Sequence, residues 1–228
     1  MDYALKNGAE YVATGHYSDI VEIDGKYYIK KNPTGKDQSY FLCRLNQHLL
    51  SHVMFPLSDL TKDEIRALAE SRGIEVAHKK DSQEVCFIPD NDYISFIEKQ
   101  FNSKALPGDF LSTDGEKLGT HQGIYKYTIG QRKGLGAFGK PMYVISINPE
   151  NNTVTIGDNH ELFTQKIYVN DLSFLSGEIP EDNLPCFVKI RCAAKPAEAV
   201  LKFTDTGAFI EFSETQRAAA PGQTAAIY

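Results

Sequence analysis

Between Pro107 and Met142 glycine recurs at positions 115, 119, 123, 130, 134, 136 and 139. A helix does not propagate through that spacing, because each interior glycine disfavours it by about 1 kcal/mol relative to alanine. The run therefore marks a change of architecture. Upstream, helix and strand signals alternate; downstream, short apolar runs separated by turn residues continue to Tyr228 without a helical period. The predicted fold class is α/β plus β, the second part being a small barrel or sandwich.

Local signals fill in the two halves. Residues 2–7 read as the tail of a helix closed by Gly8, and Glu10 to Thr14 as a short buried strand ending at Gly15 and His16. Val21 to Ile29 reads as a hairpin around Asp24-Gly25, since a type I′ turn needs positive φ at both central residues. Thr61 and Glu64 form a capping box that opens a helix over 62–72, with Ile65, Leu68 and Ala69 on one face and Gly73 at its end. A second helix after Asn91 is expected to bury Tyr93, Phe96, Ile97 and Phe101. Beyond the glycines, Met142 to Ile147 should pair with Thr153 to Ile156 across a turn at Pro149 to Asn152. Further strands are expected near 166–170, 186–192, 198–203, 208–212 and 223–228.

Composition excludes several classes. With 42% hydrophobic and 24% charged residues in 228, the chain has enough apolar content for a core and is not a disordered polyelectrolyte. Its apolar runs are far shorter than the roughly 20 residues of a membrane span, and Met1 to Lys6 lacks the pattern of a secretory signal, so a cytoplasmic protein with no membrane partner is expected. Cys43, Cys86, Cys186 and Cys192 form no C-x-x-C pair, which argues for free thiols and against a structural metal site. The net charge of -6 speaks against bulk coating of nucleic acid. The stretch 104–157 departs from that balance, with six basic against four acidic residues. Within it Lys117, Lys126, Arg132, Lys133 and Lys140 are interleaved with His121, Tyr125 and Tyr127, a combination that suits phosphates and unstacked bases and equally a solvated loop face.

Three places could carry chemistry. Cys86, in Val85-Cys86-Phe87-Ile88, reads either as a buried inert thiol or as a nucleophile whose thiolate Lys79 and Lys80 would favour. Gly15-His16-Tyr17 follows a strand, where α/β sheets bring backbone close to ligands. Lys36-Asp37-Gln38-Ser39 offers a cation, an acid and an amide, or else a helix start capped by Asp37.

Taken in order, the strings Ala13-Thr14-Gly15-His16-Tyr17, Lys36 to Leu42 (K-D-Q-S-Y-F-L), Phe55-Pro56-Leu57, Asp81 to Ile88 (D-S-Q-E-V-C-F-I), Pro107-Gly108-Asp109 and Tyr127 to Gly136 (Y-T-I-G-Q-R-K-G-L-G) strongly resemble the tRNA-specific 2-thiouridylases. The resemblance runs from Met1 to Tyr228. It implies the C-terminal part of an ATP-pyrophosphatase-type α/β catalytic domain over 1–103, a small central tRNA-facing domain over 104–165, and an elongation-factor-like β-barrel over 166–228. It also implies a reaction. ATP, with Mg²⁺, adenylates the C2 oxygen of the wobble uridine, and a cysteine persulfide loaded by an external sulfur-donor protein, a desulfurase or relay protein, delivers sulfur to that carbon. Covalent transfer divides one hard displacement into easier steps.

By position, the resemblance makes Cys86 the persulfide cysteine and Gly15 an ATP contact, and it makes His16, Lys36, Asp37 and Gln38 contacts to tRNA near the active site. Arg191, Cys192 and Gln223 match tRNA contacts in the barrel, and Arg132 and Lys133 fit a basic tRNA-facing loop; DNA is not an implied partner. The chain also departs from the family. The phosphate-cradling string S-G-G-x-D-S and the second catalytic cysteine do not occur in it, and it stops at Tyr228 ahead of the family's closing strand. The expectation is therefore a fragment that binds without completing turnover. Two other readings stay open: a tRNA-binding module without catalysis, and a thiol sulfur carrier, for which the basic loop would have no purpose.

Overall fold

The computed structural model describes residues 1–33, 36–75, 88, 92–101 and 104–228. The chain divides into two compact units, one holding 1–80, 168–213 and 224–228, the other 81–167 and 214–223.

The first unit begins with helix α1 (Asp2–Lys6), which ends at Asn7 before Gly8 at φ +81°, and strand β1 (Val12–Ala13). Strands β2 (Ser18–Ile23) and β3 (Lys26–Lys31) form the expected hairpin, with Asp24 at φ +51° and Gly25 at +74°. Two short helices follow, α2 (Ser39–Leu42) and α3 (Gln47–Leu50), then β4 (Val53–Met54) and helix α4 (Lys62–Ser71). The capping box of α4 is complete: the Thr61 hydroxyl accepts from the Glu64 amide, and the Glu64 carboxylate accepts from the Thr61 amide at 2.7 Å. Strand β1 pairs with β4 in parallel, Val12 opposite Val53 and Ala13 opposite Met54. The buried strand expected over 10–14 is thus shorter, and its residues are half-buried or exposed.

The second unit carries helix α5 (Tyr93–Gln100) and a four-stranded sheet of β5 (Gly108–Leu111), β6 (Lys117–His121), β7 (Tyr143–Asn148) and β8 (Thr153–Gly157), in the order β6-β5-β8-β7. Its core is Phe110, Leu135, Met142, Val144, Val154 and Ile156, with Tyr127, Ile129 and Phe138 packed against it. Each such aliphatic side chain contributes roughly 1.5–3 kcal/mol of burial. His121 is fully buried, its Nδ1 accepting from the Gly123 amide and its Nε2 3.0 Å from the Asn152 carbonyl, which fixes the neutral tautomer protonated at Nε2. The expected burial of the α5 face is not found: Tyr93 is 43% and Phe101 71% exposed, while Phe96 and Ile97 are half-buried. An amphipathic stripe is buried only where another element covers it, and periodicity alone carries no information about the covering element.

Strands β9 (Phe163–Val169), β10 (Leu184–Lys189), β11 (Ala197–Thr204), β12 (Gly207–Arg217) and β13 (Ala226–Ile227) make a five-stranded sheet in the order β13-β10-β11-β12-β9. The boundary between the two units passes through β9 and β12. Within the first unit, Val188, Ala199, Leu201, Ile210 and Phe212 are buried on this sheet. A strand occurs at each of the five places expected beyond the β7–β8 pair, with β12 longer than anticipated, β10 ending at Lys189 instead of 192, and β13 reduced to two residues.

Candidate functional site

The end of β1 is a ligand-ready position by its geometry. Parallel pairing with β4 continues to a hydrogen bond from the Thr14 amide to the Met54 carbonyl at 3.1 Å, so Gly15 is the first residue past the carboxyl end of the pair. Gly15 is exposed, its φ lies outside the left-handed region, and among the described residues a methyl group there would meet only Leu57 Cδ1, at 3.6 Å. Nothing in the fold demands glycine at that place. His16, next in line, is held with its Nδ1 2.8 Å from Thr14 Oγ1 and its ring edge-on to Phe55.

Gln38 ties a second segment to this strand end. Its backbone amide donates to the Tyr17 carbonyl at 2.9 Å, and its side-chain Oε1 accepts from the Tyr17 amide at 2.8 Å. Asp37 folds the turn that precedes α2: its carboxylate accepts from the Ser39 amide at 3.1 Å, from Ser39 Oγ at 2.7 Å and from the Asn32 amide at 3.3 Å. The side chains of Asp37 and Gln38 are thus committed within the fold, and of the three residues in that string only Lys36 is exposed.

Residues far away in sequence close over this turn. Ser39 Oγ lies 3.0 Å from the Tyr228 hydroxyl, and the Tyr40 hydroxyl donates to the Thr224 carbonyl at 2.8 Å. Tyr228 is fixed by two backbone hydrogen bonds to Phe187, and the Lys31 ammonium sits 3.8 Å from the centre of its ring. The Lys189 ammonium stands 5.8 Å from the centre of the Tyr40 ring, a cation over the negative face of an aromatic. Burial pushes the Tyr40 phenol up, with Cys43, Cys192 and Arg191 close enough to act on it electrostatically. Burial likewise pushes the Tyr228 phenol up, with Asp37, Cys43 and Cys192 among its neighbours. In the first unit the turn from Asp37 to Tyr40, tied to the strand end that carries Gly15 and His16, thus meets Lys189, Thr224 and Tyr228, with Arg191 and Cys192 within electrostatic reach of Tyr40. Lys31, Tyr40, Lys189 and Tyr228 belong to the same cluster and carry no local sequence signal that singles them out.

The remaining expected residues belong to the second unit. Arg132 and Lys133 are both exposed on the glycine loop of the second unit and make no ion pair among the described residues. Two other cations of that stretch are engaged, Lys117 with Asp109 at 2.7 Å and Lys140 with Asp158 at 2.8 Å, so the basic face is narrower than the sequence shows. Gln223 is exposed in a turn with Gly222 at φ +80°. Cys86 lies outside the described residues. Cys43, Cys186 and Cys192 are free, and burial pushes the thiols of Cys43 and Cys186 up, away from the reactive thiolate. Among the described residues no group of three or more histidine, cysteine or acidic side chains is arranged to hold a metal, and no helix is long and apolar enough to cross a membrane.

Comparison with known proteins gives consecutive matches along the chain: the tRNA methyl transferase HUP domain over residues 1–90, the tRNA methyl transferase PRC-barrel domain over 94–158, and the aminomethyltransferase beta-barrel domain over 164–228. The tRNA-specific 2-thiouridylase MnmA of Lachnoclostridium phytofermentans is 44% identical over 99% of this chain and 64% of its own length. The enzymes of the same name from Acetivibrio thermocellus and Clostridioides difficile are each 45% identical, over 100% and 99% of this chain and 65% and 64% of their own lengths. The chain thus spans about 64% of the length of these relatives. Three domain matches in series, with relatives at this identity across essentially every residue, make the chain similar along its whole length to the tRNA-specific 2-thiouridylases.

Proposed function

We propose that this chain is the RNA-gripping and thiol-bearing portion of an ATP-dependent tRNA sulfurtransferase that places sulfur on C2 of the wobble uridine. The observation that carries the reading is the meeting in one unit of the turn from Lys36 to Tyr40, tied through Gln38 to the exposed strand end at Gly15-His16, with Lys189 and Tyr228 of the β-sheet. A strand end with room for backbone approach suits a nucleotide, and cations with aromatics around it suit an RNA backbone and its unstacked bases. ATP, when bound, would supply the activation that makes a carbonyl oxygen leave; Gly15 is the residue of this chain that fits contact with it. Asp37 and Gln38 hold the Lys36 turn against the strand end, and Cys86 is the thiol that would carry sulfur. Mg²⁺ and a protein that donates the sulfur complete the reading. Because the chain contains no S-G-G-x-D-S string, the 228 residues bind tRNA and do not turn over by themselves.

The test is binding of unmodified tRNA to the chain, followed by fluorescence anisotropy, together with mass spectrometry of the digested tRNA after incubation with ATP and a sulfur donor. Binding that weakens on Lys36→Ala and recovers in Lys36→Arg, with no thiolated uridine formed, is the expected result. A Lys36→Ala chain that binds tRNA as well as the parent removes this site from the interface, and thiouridine produced by the chain alone overturns the division of labour.

A further inference from the structure

The glycine loop of the second unit borders an open cavity of about 330 Å³, lined by Arg132, Leu135, Phe138, Lys140, Pro141 and Met142 with Gly136, Ala137 and Gly139 between them. The loop is not loose chain. Its base is pinned where the Gly130 amide donates to the Val144 carbonyl at 2.8 Å and the Val144 amide to the Gln131 carbonyl at 2.9 Å. Its floor is core: Leu135 and Met142 are buried, and Phe138 packs edge-on to Phe110 at 6.1 Å. Gly136 and Gly139 on the lining adopt φ of +108° and +73°, conformations side-chain-bearing residues rarely take, so part of the wall is bare backbone. Of the two cations on the lining, Lys140 is neutralised by Asp158, while Arg132 has no ion pair among the described residues.

An apolar floor, a peptide wall and one uncommitted guanidinium at the rim are the elements with which proteins hold a single unstacked base and its phosphate. The volume sits at the small end of the range for pockets that enclose a small ligand, about 300–1,000 Å³, and a stacked duplex does not enter it. We propose that this cavity takes one unstacked nucleotide of the bound RNA, the base lying against Leu135 and Phe138 and its phosphate meeting Arg132. This rests on the reading of the chain as a tRNA-binding protein and adds a nucleotide position in the second unit.

The experiment follows backbone amide resonances of the full 228-residue chain during titration with uridine 5′-monophosphate, adenosine 5′-monophosphate and inorganic phosphate, with tRNA binding measured in parallel by anisotropy. Both mononucleotides are expected to shift the amides between Gly134 and Met142 with dissociation constants on the order of 1 mM, and inorganic phosphate to leave them in place. Arg132→Lys keeps the charge and loses the planar guanidinium, so it should weaken the mononucleotides several-fold while leaving the salt dependence of tRNA binding unchanged; its place at the rim keeps the fold out of the comparison. Equal shifts with inorganic phosphate, shifts confined to other residues, or no shifts would each overturn the nucleotide site. Absent shifts with tRNA still bound leave the proposed function standing without this cavity. Shifts at the loop with no tRNA binding keep the nucleotide site and remove the tRNA reading.

Discussion

Gly15 and Gly108 separate a glycine kept for a ligand from a glycine kept for the fold. A methyl group at Gly15 meets one side-chain carbon at ordinary contact distance, whereas at Gly108 it would overlap the Asn152 carbonyl and come within 2.7 Å of the His121 ring. Gly15→Ala is therefore expected to melt within about 2 °C of the parent, and Gly108→Ala to melt well below it, because β5 pairs with both β6 and β8; differential scanning calorimetry of the two variants checks the contrast. A large fall in Gly15→Ala would show that the glycine serves packing. Gln38→Ala strips the acceptor from the half-buried Tyr17 amide and should cost about 1–3 kcal/mol in a denaturant titration, more than an exposed RNA contact would. At this scale the sequence was legible where the physics is local. The Asp24-Gly25 turn and the Thr61/Glu64 cap are spelled out within four residues, while the bond between Ser39 and Tyr228 joins positions 189 apart and has no spelling at all.

Among the elements, α5 shows how a helix without a fully buried residue is still held. Asp92 caps it by accepting from the Ser95 amide at 3.0 Å, and Glu98 accepts from the Tyr125 hydroxyl at 2.6 Å and the Ala105 amide at 3.2 Å, tying the helix to the 3₁₀ turn over Ile124–Lys126. The Tyr125 hydrogen bond, then the Ala105 amide, holds the Glu98 carboxyl below the usual carboxylate range, and desolvation with the same bond pushes the Tyr125 phenol up to about 12. A depressed carboxyl contributes stability that is present above its unfolded value and is lost as the pH falls through its folded value; a raised phenol contributes stability that is full below 10.0 and lost as the pH climbs toward about 12. Unfolding measured across pH should therefore show both limbs, and Tyr125→Phe should remove the alkaline limb and flatten the acid one. A Tyr125→Phe profile that superimposes on the parent would show that this bond does not couple helix to turn. The sequence announced α5 through its spacing of apolar residues, but the partner that fixes it is a tyrosine 27 positions on. Strands β5 and β6 were less legible still, since Gly108 to Leu111 and Lys117 to His121 are too short and too polar for alternation to register.

For the whole molecule the proposed RNA partner raises the question of how a chain of net charge -6 would hold a polyanion, and the answer lies in which cations the described residues leave without an ion pair. Lys26 is paired with Glu178, Arg44 with Asp171, Lys202 with Glu211, Lys117 with Asp109 and Lys140 with Asp158, so the count of basic residues overstates what an RNA would meet. That pairing is invisible in composition, because each partner is brought up by the fold. Binding of tRNA should fall steeply with salt, and the slope should reveal which side chains displace counterions. Arg132→Ala and Lys133→Ala, each removing a cation without an ion pair, are expected to lower the magnitude of the slope by roughly 0.7 to 0.9 for each phosphate the side chain had neutralised, for every tRNA tested alike. Lys117→Ala and Lys140→Ala serve as internal controls: both charges are already spoken for at 2.7 and 2.8 Å by a carboxylate, so their removal should leave the slope close to that of the parent. The measurement is a titration of anisotropy against potassium chloride for the parent and the four variants. Equal slopes throughout would return Arg132 and Lys133 to a solvated loop face, and a larger change in the Lys117 or Lys140 variants would mean that tRNA breaks those ion pairs on binding and that the contact surface of the second unit is wider than its resting geometry shows.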